Sequence, residues 1–378
     1  MKISLSCSMV FAVYYKYKIC KPPQLFCQKD VFRKFLATCV PTSVERFSPF
    51  FMTFGTTLQT VIGGVMRTLP RVPWDKVEDI ELPDNGLVHL HWVNNNESSQ
   101  YTERERPIVL FLPGLTGNNE SNYILHFITG VKRKGYRSVV FTYRGMGDQD
   151  LRTAKSYCAC YTDDLEYVVN LIKAKYPEAP LMAVGISLGG MILFHYLAKS
   201  GENSKLIAAM TISVPWNPFE SMKTLSTPLN HYLYNRRFAK RLISFVEKNM
   251  HVFEGVVNID HVRASNTIHE FDESFTAKVF GFDSLDHYYE TSRASDKVHL
   301  IKTPLLALNS ADDPFSPGYC IPVQDISQSD YVALLLTKYG GHVGFVDTFL
   351  GQGLTYLDRI TVEYVNAVFR NRDIIKKV

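Results

Sequence analysis

The chain has 378 residues, of which 46% are hydrophobic and 21% are charged. This composition is typical of a globular protein, and the length allows one large domain or two modest ones. The formal net charge is +4, from 41 Lys and Arg against 37 Asp and Glu, which is too small to indicate nucleic-acid binding. Its seven cysteines are irregularly spaced, which argues against a zinc motif and favours reduced thiols.

The N-terminus contains two uncharged segments that bear on membrane attachment. Residues 3–15 are apolar, but these roughly 13 residues are fewer than the ~20 that span a bilayer. We therefore expect residues 1–20 to hold a short or truncated membrane anchor, with a signal-peptide-like core as the alternative. Residues 47–66 are long enough to span but poor in hydrophobicity, so we predict that they pack within the globular domain, with a transmembrane span as the alternative.

From about residue 84 the chain alternates between strand-like and helix-like patterns. Predicted strands cover residues 87–93, 107–114, 136–145, 180–187, 206–216, 304–310 and 331–339. Helical spacing covers residues 121–134, 162–176, 188–200 and 354–370. This alternation predicts an α/β fold with a mostly parallel sheet and helices on both faces. It stops between residues 217 and 300, which we interpret as an insertion over the carboxyl ends of the strands.

The sequence GISLG at residues 185–189 is a G-x-S-x-G motif between a predicted strand and a predicted helix. This context is typical of a nucleophile elbow, in which a sharp turn exposes the serine and small neighbours allow strand and helix to approach closely. The motif alone also fits a serine that caps a helix at an ordinary strand–helix junction. Ser187 is therefore a candidate nucleophile that requires a base and an acid elsewhere.

The expected partners follow downstream in the order serine, acid, histidine. One predicted strand is followed by Asp312 and Asp313, and the next by His342. We favour Asp313 as the acid because it directly precedes a proline turn, and we keep Asp312 as the alternative. His342 also begins an H-x-x-x-x-D pattern found in acyltransferases, but we interpret its last residue, Asp347, as a solvated or helix-capping acid.

Acyl transfer also needs hydrogen-bond donors for the developing oxyanion. The backbone N–H of Leu188, directly after the candidate nucleophile, is the first predicted donor. The second is expected from the glycine-rich loop at residues 112–121, with Leu115 as first choice and Thr116 as second; an ordinary glycine-rich loop is the alternative. We predict no cofactor and no metal, because the chain has no P-loop, no G-x-G-x-x-G after a strand and no H-E-x-x-H.

The chain also resembles a known family. The similarity is carried by the segments FLPGLTG, VVFTYRGMG, AVGISLGGMIL, NSADDPFSPG and YGGHVGFVD, which look like the AB hydrolase type 4 family of α/β-hydrolase domain-containing proteins, in particular its membrane-anchored phospholipase-like members. The resemblance implies an α/β-hydrolase domain over residues 21–378 with a cap insertion at about 217–300. It implies that nucleophile, acid and base are Ser187, Asp313 and His342.

The resemblance further implies hydrolysis of phospholipid acyl esters, particularly phosphatidylcholines, and a single-pass anchor that is longer in the family than the apolar segment here. We therefore predict a membrane-associated serine hydrolase of lipid esters. Four aromatic residues at the start of the insertion or directly before it are expected to form an apolar pocket for an acyl chain, and these are Trp216, Phe219, Tyr232 and Tyr234. The alternatives are a lipid acyltransferase that uses the same serine and a non-catalytic membrane-associated scaffold.

Overall fold

A nine-stranded sheet forms the centre of the computed structural model, which describes residues 10, 13–50, 56–65, 70–147, 150–348 and 353–378. The strands are β1 Gln24–Phe26, β2 Lys76–Glu81, β3 Leu87–Val93, β4 Ile108–Leu112, β5 Arg137–Thr142, β6 Leu181–Ile186, β7 Ala209–Ile212, β8 Leu305–Ser310 and β9 Val332–Thr337. Their spatial order is β1-β9-β8-β7-β6-β4-β5-β3-β2. The strands from β9 to β5 are parallel, while β1, β3 and β2 pair antiparallel at the two edges.

The predicted α/β fold with a mostly parallel sheet is thus confirmed, and each of the seven predicted strands corresponds to one of β3 to β9. The two strands that the sequence pattern did not reveal are edge strands. β1 has only three residues, and β2 is rich in charged side chains and has four of its six positions exposed. Neither strand therefore has the buried apolar run that marks the central strands.

Helices cover both faces of the sheet. In chain order they are α1 Asp30–Cys39, α2 Thr56–Val65, α3 Asn122–Arg133, α4 Asp163–Lys175, α5 Leu188–Ser200, α6 Pro218–Leu225, α7 Pro228–Asn230, α8 Arg236–Lys248, α9 Met250–Phe253, α10 Ile259–Arg263, α11 Ile268–Phe271, α12 Ala277–Val279, α13 Leu285–Ser292, α14 Val323–Ser327, α15 Tyr356–Arg370 and α16 Arg372–Ile375. Single π or 3-10 turns lie at Tyr15–Ile19, Pro41–Ser43, Gly201–Asn203, His231–Asn235, Asp272–Thr276, Ser295–Leu300 and Gly318–Cys320.

Two apolar cores lie on opposite sides of the sheet, because successive strand side chains point to opposite faces. In β4, Leu110 packs into the core beneath α4 and α5, while Val109 and Phe111 pack into the core beneath α1, α3 and α15. All three of these side chains are fully buried. A strand that is apolar on both faces is therefore held at the centre, where it fixes the position of the loops at its carboxyl end.

The segment between β7 and β8 consists of helices and turns, from α6 to the turn at Ser295–Leu300. It contains no strand, and all of its residues belong to the described part of the chain. Its own apolar contacts are separate from the two sheet cores and include Leu242, Val246, Phe253 and Phe271. The segment therefore forms a helical cap that packs on itself as well as on the sheet.

Within the uncharged run at residues 47–66, the structure describes residues 47–50 and helix α2. Within α2 the buried Gln59 amide donates to the carbonyl of Val346 (3.0 Å) and accepts from its N–H (2.7 Å). A Cβ atom on Gly63 would lie 2.7 Å from Cα of Gly344, so the helix approaches the loop after β9 closely. The described part of this run thus packs within the domain, while residues 51–55 and 66 lie outside the described residues.

The N-terminal segment at residues 1–20 lies partly outside the description, since residues 1–9 and 11–12 are not described. Over the described ranges, none of the helices has both the length and the apolar character needed to cross a membrane.

Candidate active site

Ser187 occupies the turn between β6 and α5. Its backbone has φ 53° and ψ −117°, a conformation that is strained for a residue with a side chain. The turn requires small neighbours: a Cβ on Gly185 would lie 2.5 Å from the Gly189 carbonyl oxygen, and one on Gly189 would lie 2.3 Å from that of Leu112. Strand, serine and helix therefore adopt the geometry of a nucleophile elbow, and the side chain of Ser187 does not cap α5.

The fold brings three side chains from distant parts of the chain into one hydrogen-bonded series. Ser187 Oγ lies 2.8 Å from His342 Nε2, and His342 Nδ1 lies 2.9 Å from Asp313 Oδ2 and 3.0 Å from Asp313 Oδ1. Because a carboxylate only accepts, Nδ1 of His342 donates to Asp313, which leaves Nε2 to accept the proton of the serine hydroxyl. This is the arrangement that converts a serine into a nucleophile.

Asp313 is held in place by its own turn. It is 2% exposed, and its Oδ1 also accepts hydrogen bonds from the N–H groups of Phe315 (2.7 Å) and Ser316 (3.2 Å). Asp312, the alternative acid, instead accepts from the N–H of Gly341 at 2.8 Å. Burial raises the pKa of Asp312 to about 6. Of the two neighbouring acids, Asp313 therefore orients the His342 ring, and Asp312 supports the loop that carries it.

Three further residues fix His342, and none of them was predicted from the sequence. The hydroxyl of Thr60 in α2 accepts a hydrogen bond from the N–H of His342 at 2.9 Å, and the hydroxyl of Ser213 accepts from the N–H of the next residue at 3.1 Å. The ring of Phe315 stacks on the imidazole with 4.2 Å between ring centroids. No local motif marks these residues, because each contact joins segments that are far apart in the chain.

The glycine-rich loop after β4 lies against the serine. A Cβ on Gly114 would be 3.3 Å from Cβ of Ser187, so the backbone here passes directly beside the candidate nucleophile. Both predicted oxyanion donors belong to residues that line the same cavity, namely Leu115 in this loop and Leu188 at the start of α5. The N–H groups of Leu115 and Leu188 therefore remain the predicted donors for the oxyanion, and the two segments that carry them meet at Ser187.

Three tyrosines support this loop. The hydroxyl of Tyr143 donates to the carbonyl of Pro113 at 2.8 Å, and the hydroxyl of Tyr123 accepts from the N–H of Gly114 at 3.0 Å. The ring of Tyr157 stacks on that of Tyr143 with 4.6 Å between the ring centroids, and it lines the same cavity as Leu115 and Thr116. Tyr143, which follows β5, therefore has a positioning role that the sequence did not reveal.

The candidate nucleophile and base open into a cavity of about 420 Å³ beneath the cap. Most of its lining surface is apolar, and the cap contributes a continuous set of apolar and aromatic side chains, namely Met222, Leu225, Tyr234, Phe238, Leu242, Phe245, Ile268, Phe271 and Phe275. A cavity of this size and character fits a small apolar ligand or one acyl chain. The ester of such a ligand would lie where the polar groups of the site converge.

Two of the four predicted pocket aromatics lie in the packing layers behind the cavity. Trp216 is fully buried, packs against Phe194 and donates from Nε1 to Asn309 Oδ1 at 3.1 Å. Phe219 packs edge-to-face behind Tyr289, with 5.4 Å between the ring centroids. Neither residue lines the cavity. Their predicted role in substrate contact is therefore corrected to a role in the core and in the support of the cap.

The other two aromatics are close in sequence but point in different directions. Tyr234 lines the cavity, is 5% exposed and packs against Phe315. Tyr232 is 65% exposed and does not line the cavity, which corrects its predicted role in the pocket. Two residues of separation on a helix place side chains on nearly opposite faces, so apolar composition alone could not distinguish the two.

One acidic side chain faces the apolar cavity from the cap. Asp272 lines it and accepts hydrogen bonds from the hydroxyls of Thr276 (2.7 Å) and Tyr289 (3.2 Å). Burial raises the pKa of Asp272 to about 7. The sequence alone did not predict this position, because the nearby Glu270 and Glu273 are typical of a solvated surface.

Asp347, the last residue of the H-x-x-x-x-D pattern, is engaged at the start of α15. One of its oxygens accepts from the N–H of Tyr356 at 2.8 Å, and the other forms an ion pair with Arg359 at 2.8 Å. These contacts agree with the helix-capping interpretation.

Comparisons with known proteins agree with this geometry. Residues 107–345 match a family model described as alpha/beta hydrolase fold. The chain is 38% identical to phospholipase ABHD3 of Homo sapiens over 97% of this chain and 90% of that protein. It is 35% identical to protein abhd-3.2 of Caenorhabditis elegans over 86% of each, and 30% identical to the embryogenesis-associated protein EMB8 of Picea glauca over 83% of this chain and 71% of that protein. The resemblance seen in the sequence is thereby confirmed, and the chain belongs to the α/β-hydrolase family.

Proposed function

We propose that this chain is a serine hydrolase that cleaves acyl esters of lipids, with phospholipids such as phosphatidylcholine as substrates. The observation that carries the proposal is the hydrogen-bonded series Ser187–His342–Asp313 at the wall of an apolar cavity of about 420 Å³. The substrate class is supported by the similarity over nearly the whole chain to proteins named phospholipase.

The geometry supports a two-step mechanism. Ser187 Oγ attacks the ester carbonyl while His342 Nε2 takes its proton, and Asp313 stabilises the resulting imidazolium. The N–H groups of Leu188 and Leu115 bind the oxyanion of the tetrahedral intermediate. Collapse of that intermediate breaks the ester bond, and His342 gives its proton to the leaving alcohol, which leaves an acyl-enzyme. A water molecule then attacks the acyl-enzyme while His342 takes its proton. Collapse of this second intermediate releases the fatty acid, and His342 returns the proton to Ser187 Oγ.

We further propose that the chain works at a membrane surface, where its lipid substrates are found. Four apolar side chains near the N-terminus each expose more than half of their surface, and they are Val10, Val13, Tyr14 and Tyr17. Apolar and aromatic side chains of this kind are common at the membrane–water interface.

The serine hydrolase proposal is tested by a fluorophosphonate probe, which reacts covalently with an activated serine. We expect wild type to be labelled and Ser187→Ala to be unlabelled. Ser221→Ala is the matched control, because Ser221 lines the same cavity but donates to the carbonyl of Asn217 at 3.0 Å. Equal labelling of wild type and Ser187→Ala would refute the assignment, and no labelling of either would favour the non-catalytic scaffold.

The lipid-ester proposal needs a product analysis. Vesicles that contain phosphatidylcholine with a labelled acyl chain are incubated with wild type and with Ser187→Ala, in the presence of a lysolipid acceptor. We expect wild type to release labelled fatty acid. Label in a newly formed ester would identify an acyltransferase that uses the same serine, and no change in the lipid would exclude phosphatidylcholine as a substrate.

A further inference from the structure

We propose that the exposed basic face of α8, together with Leu229 and Tyr232 just before it, docks the chain onto an anionic phospholipid bilayer and holds the mouth of the cavity against the lipid. The proposal rests on the proposed lipid-ester hydrolysis at Ser187 and specifies how that site meets its substrate. This docking face consists of Leu229, Tyr232, Arg236, Arg237, Lys240 and Arg241.

The charge of α8 is concentrated and unpaired. The helix carries five basic residues and one acid, whereas the whole chain has a net charge of only +4. The four basic residues of the docking face are exposed, and within the described chain none of them forms an ion pair. The single acid, Glu247, pairs with Arg263 at 3.1 Å. Four cations are thus left without compensation on one short surface.

The position of these cations relative to the cavity follows from helix geometry. At about 100° per residue, Arg236, Lys240, Arg237 and Arg241 follow one another around one side of the helix. The cavity-lining residues Phe238, Leu242 and Phe245 follow next around the same helix. Arg241 belongs to both sets, and it is the one exposed residue among those that line the cavity. It therefore marks the mouth, and the basic face borders that mouth.

Apolar side chains extend the docking face. Leu229 is 59% exposed and Tyr232 is 65% exposed, and both precede α8 in a helical segment that runs through α7 and the π turn at His231–Asn235. Exposed Leu and Tyr side chains beside Lys and Arg are the combination that helices use to lie in a membrane interface. Tyr232, which lies outside the pocket, thereby gains a role at the membrane.

The bilayer is favoured over an acidic protein or a nucleic acid because of what borders the basic face. An acidic polymer would match the charges, but it would leave Leu229, Tyr232 and the cavity mouth facing water. An anionic bilayer satisfies the cations with its phosphate and carboxylate groups and offers an apolar layer to the other side chains. It also presents esterified acyl chains directly at the opening beside Arg241.

The test measures vesicle binding of the full chain by sedimentation. The key quantity is the ratio of the partition coefficient on vesicles of phosphatidylcholine with phosphatidylserine to that on phosphatidylcholine alone. This ratio cancels the apolar contribution of the N-terminus, and the N-terminal lysines contribute equally in wild type and in each variant. The variant Arg236→Gln/Arg237→Gln/Lys240→Gln removes three charges and leaves the cavity-lining Arg241 in place. Each basic residue near an anionic surface strengthens binding about fivefold, so we expect the ratio to fall by about 100-fold.

The matched control is Arg372→Gln/Lys376→Gln/Lys377→Gln, which removes the same charge from exposed residues at the C-terminus. We expect this control to keep the wild-type ratio. An equal fall in both triple variants, or an unchanged ratio in the α8 variant, would overturn the proposal. A second variant, Leu229→Ser/Tyr232→Ser, is expected to weaken binding to both kinds of vesicle, and unchanged binding to both would contradict the apolar part of the docking face.

A soluble short-chain ester separates this proposal from the function it rests on. Hydrolysis of a monomeric ester needs the site but no membrane, so we expect the α8 triple variant to retain wild-type turnover of it. If wild type binds anionic vesicles through α8 but does not cleave any ester, the proposed hydrolysis fails while the docking face remains. If the variant loses turnover of the soluble ester as well, α8 acts on the site itself and the docking proposal is overturned.

Discussion

The N–H of His342 donates a hydrogen bond of 2.9 Å to the hydroxyl of Thr60, a residue 282 positions earlier in the chain. This contact links α2, from the poorly hydrophobic segment that precedes the first central strand, to the candidate catalytic base. The amide of Gln59 adds two hydrogen bonds to the backbone of Val346 in the same loop. Helix α2 is therefore part of the frame that orients His342.

The contact predicts a positioning role for Thr60. Thr60→Val keeps the shape of the side chain but removes the acceptor, and one such hydrogen bond contributes about 1 kcal/mol. We expect kcat on a soluble ester to fall about fivefold with little change in KM. Thr60→Ser retains the hydroxyl and should recover most of the rate. Equal rates for wild type, valine and serine variants would show that the contact has no effect on His342.

The two neighbouring acids are expected to differ strongly in their importance. Asp313→Asn replaces the acceptor that orients the imidazole, and we expect kcat to fall by about 10⁴-fold. Asp312→Asn keeps an oxygen that can accept from Gly341, so its kcat should fall less than about tenfold. Steady-state kinetics on one soluble ester decides between them, and the reverse order of effects would identify Asp312 as the acid.

The cavity-lining Asp272 predicts a pH dependence of stability. Its pKa is raised from 3.8 to about 7 by burial, so between about pH 4 and pH 7 the folded state holds a proton that the unfolded state has lost. The contribution of the Asp272 carboxyl to the free energy of unfolding is fully present below about pH 4. It is lost as the pH rises through 7, at up to about 1.4 kcal/mol per pH unit.

The measurement is the free energy of unfolding in urea at pH 5.5 and pH 7. Wild type should lose about 1 to 2 kcal/mol more than Asp272→Asn between these two values. Glu273→Gln, at the exposed neighbouring residue, makes the same charge change and should behave as wild type. Parallel losses in wild type and Asp272→Asn would show that Asp272 is ionised throughout this range.

The cavity wall predicts a change in acyl-chain preference. Tyr234→Ala removes an aromatic ring from the lining, so the cavity can hold a longer chain. We expect the kcat/KM ratio of a long-chain to a medium-chain phospholipid to rise about tenfold. Tyr232→Ala is the control, since both substrates are offered in the same vesicle and Tyr232 lies outside the cavity. An unchanged ratio in Tyr234→Ala would mean that the chain lies elsewhere.

The fold was predictable because its central strands carry a local signal. The run IVLFL of β4 is apolar at every position, which is what a strand buried on both faces requires. The edge strand β2, with the sequence KVEDIE, carries no such signal, because one of its faces and one of its edges meet solvent. Its pairing with β3 depends on the sheet that is already formed.

The sequence by itself determined the elbow at Ser187, because a strand, a sharp turn and a helix separated by glycines are specified by neighbouring residues. It also indicated Asp313 and His342, since strand ends are recognisable and the order of the three groups follows the order of the strands. Only the tertiary structure decided which aromatics of the cap face the cavity, and that Thr60 supports His342. Those contacts depend on the direction of side chains and on segments brought together from opposite ends of the chain, which no local pattern encodes.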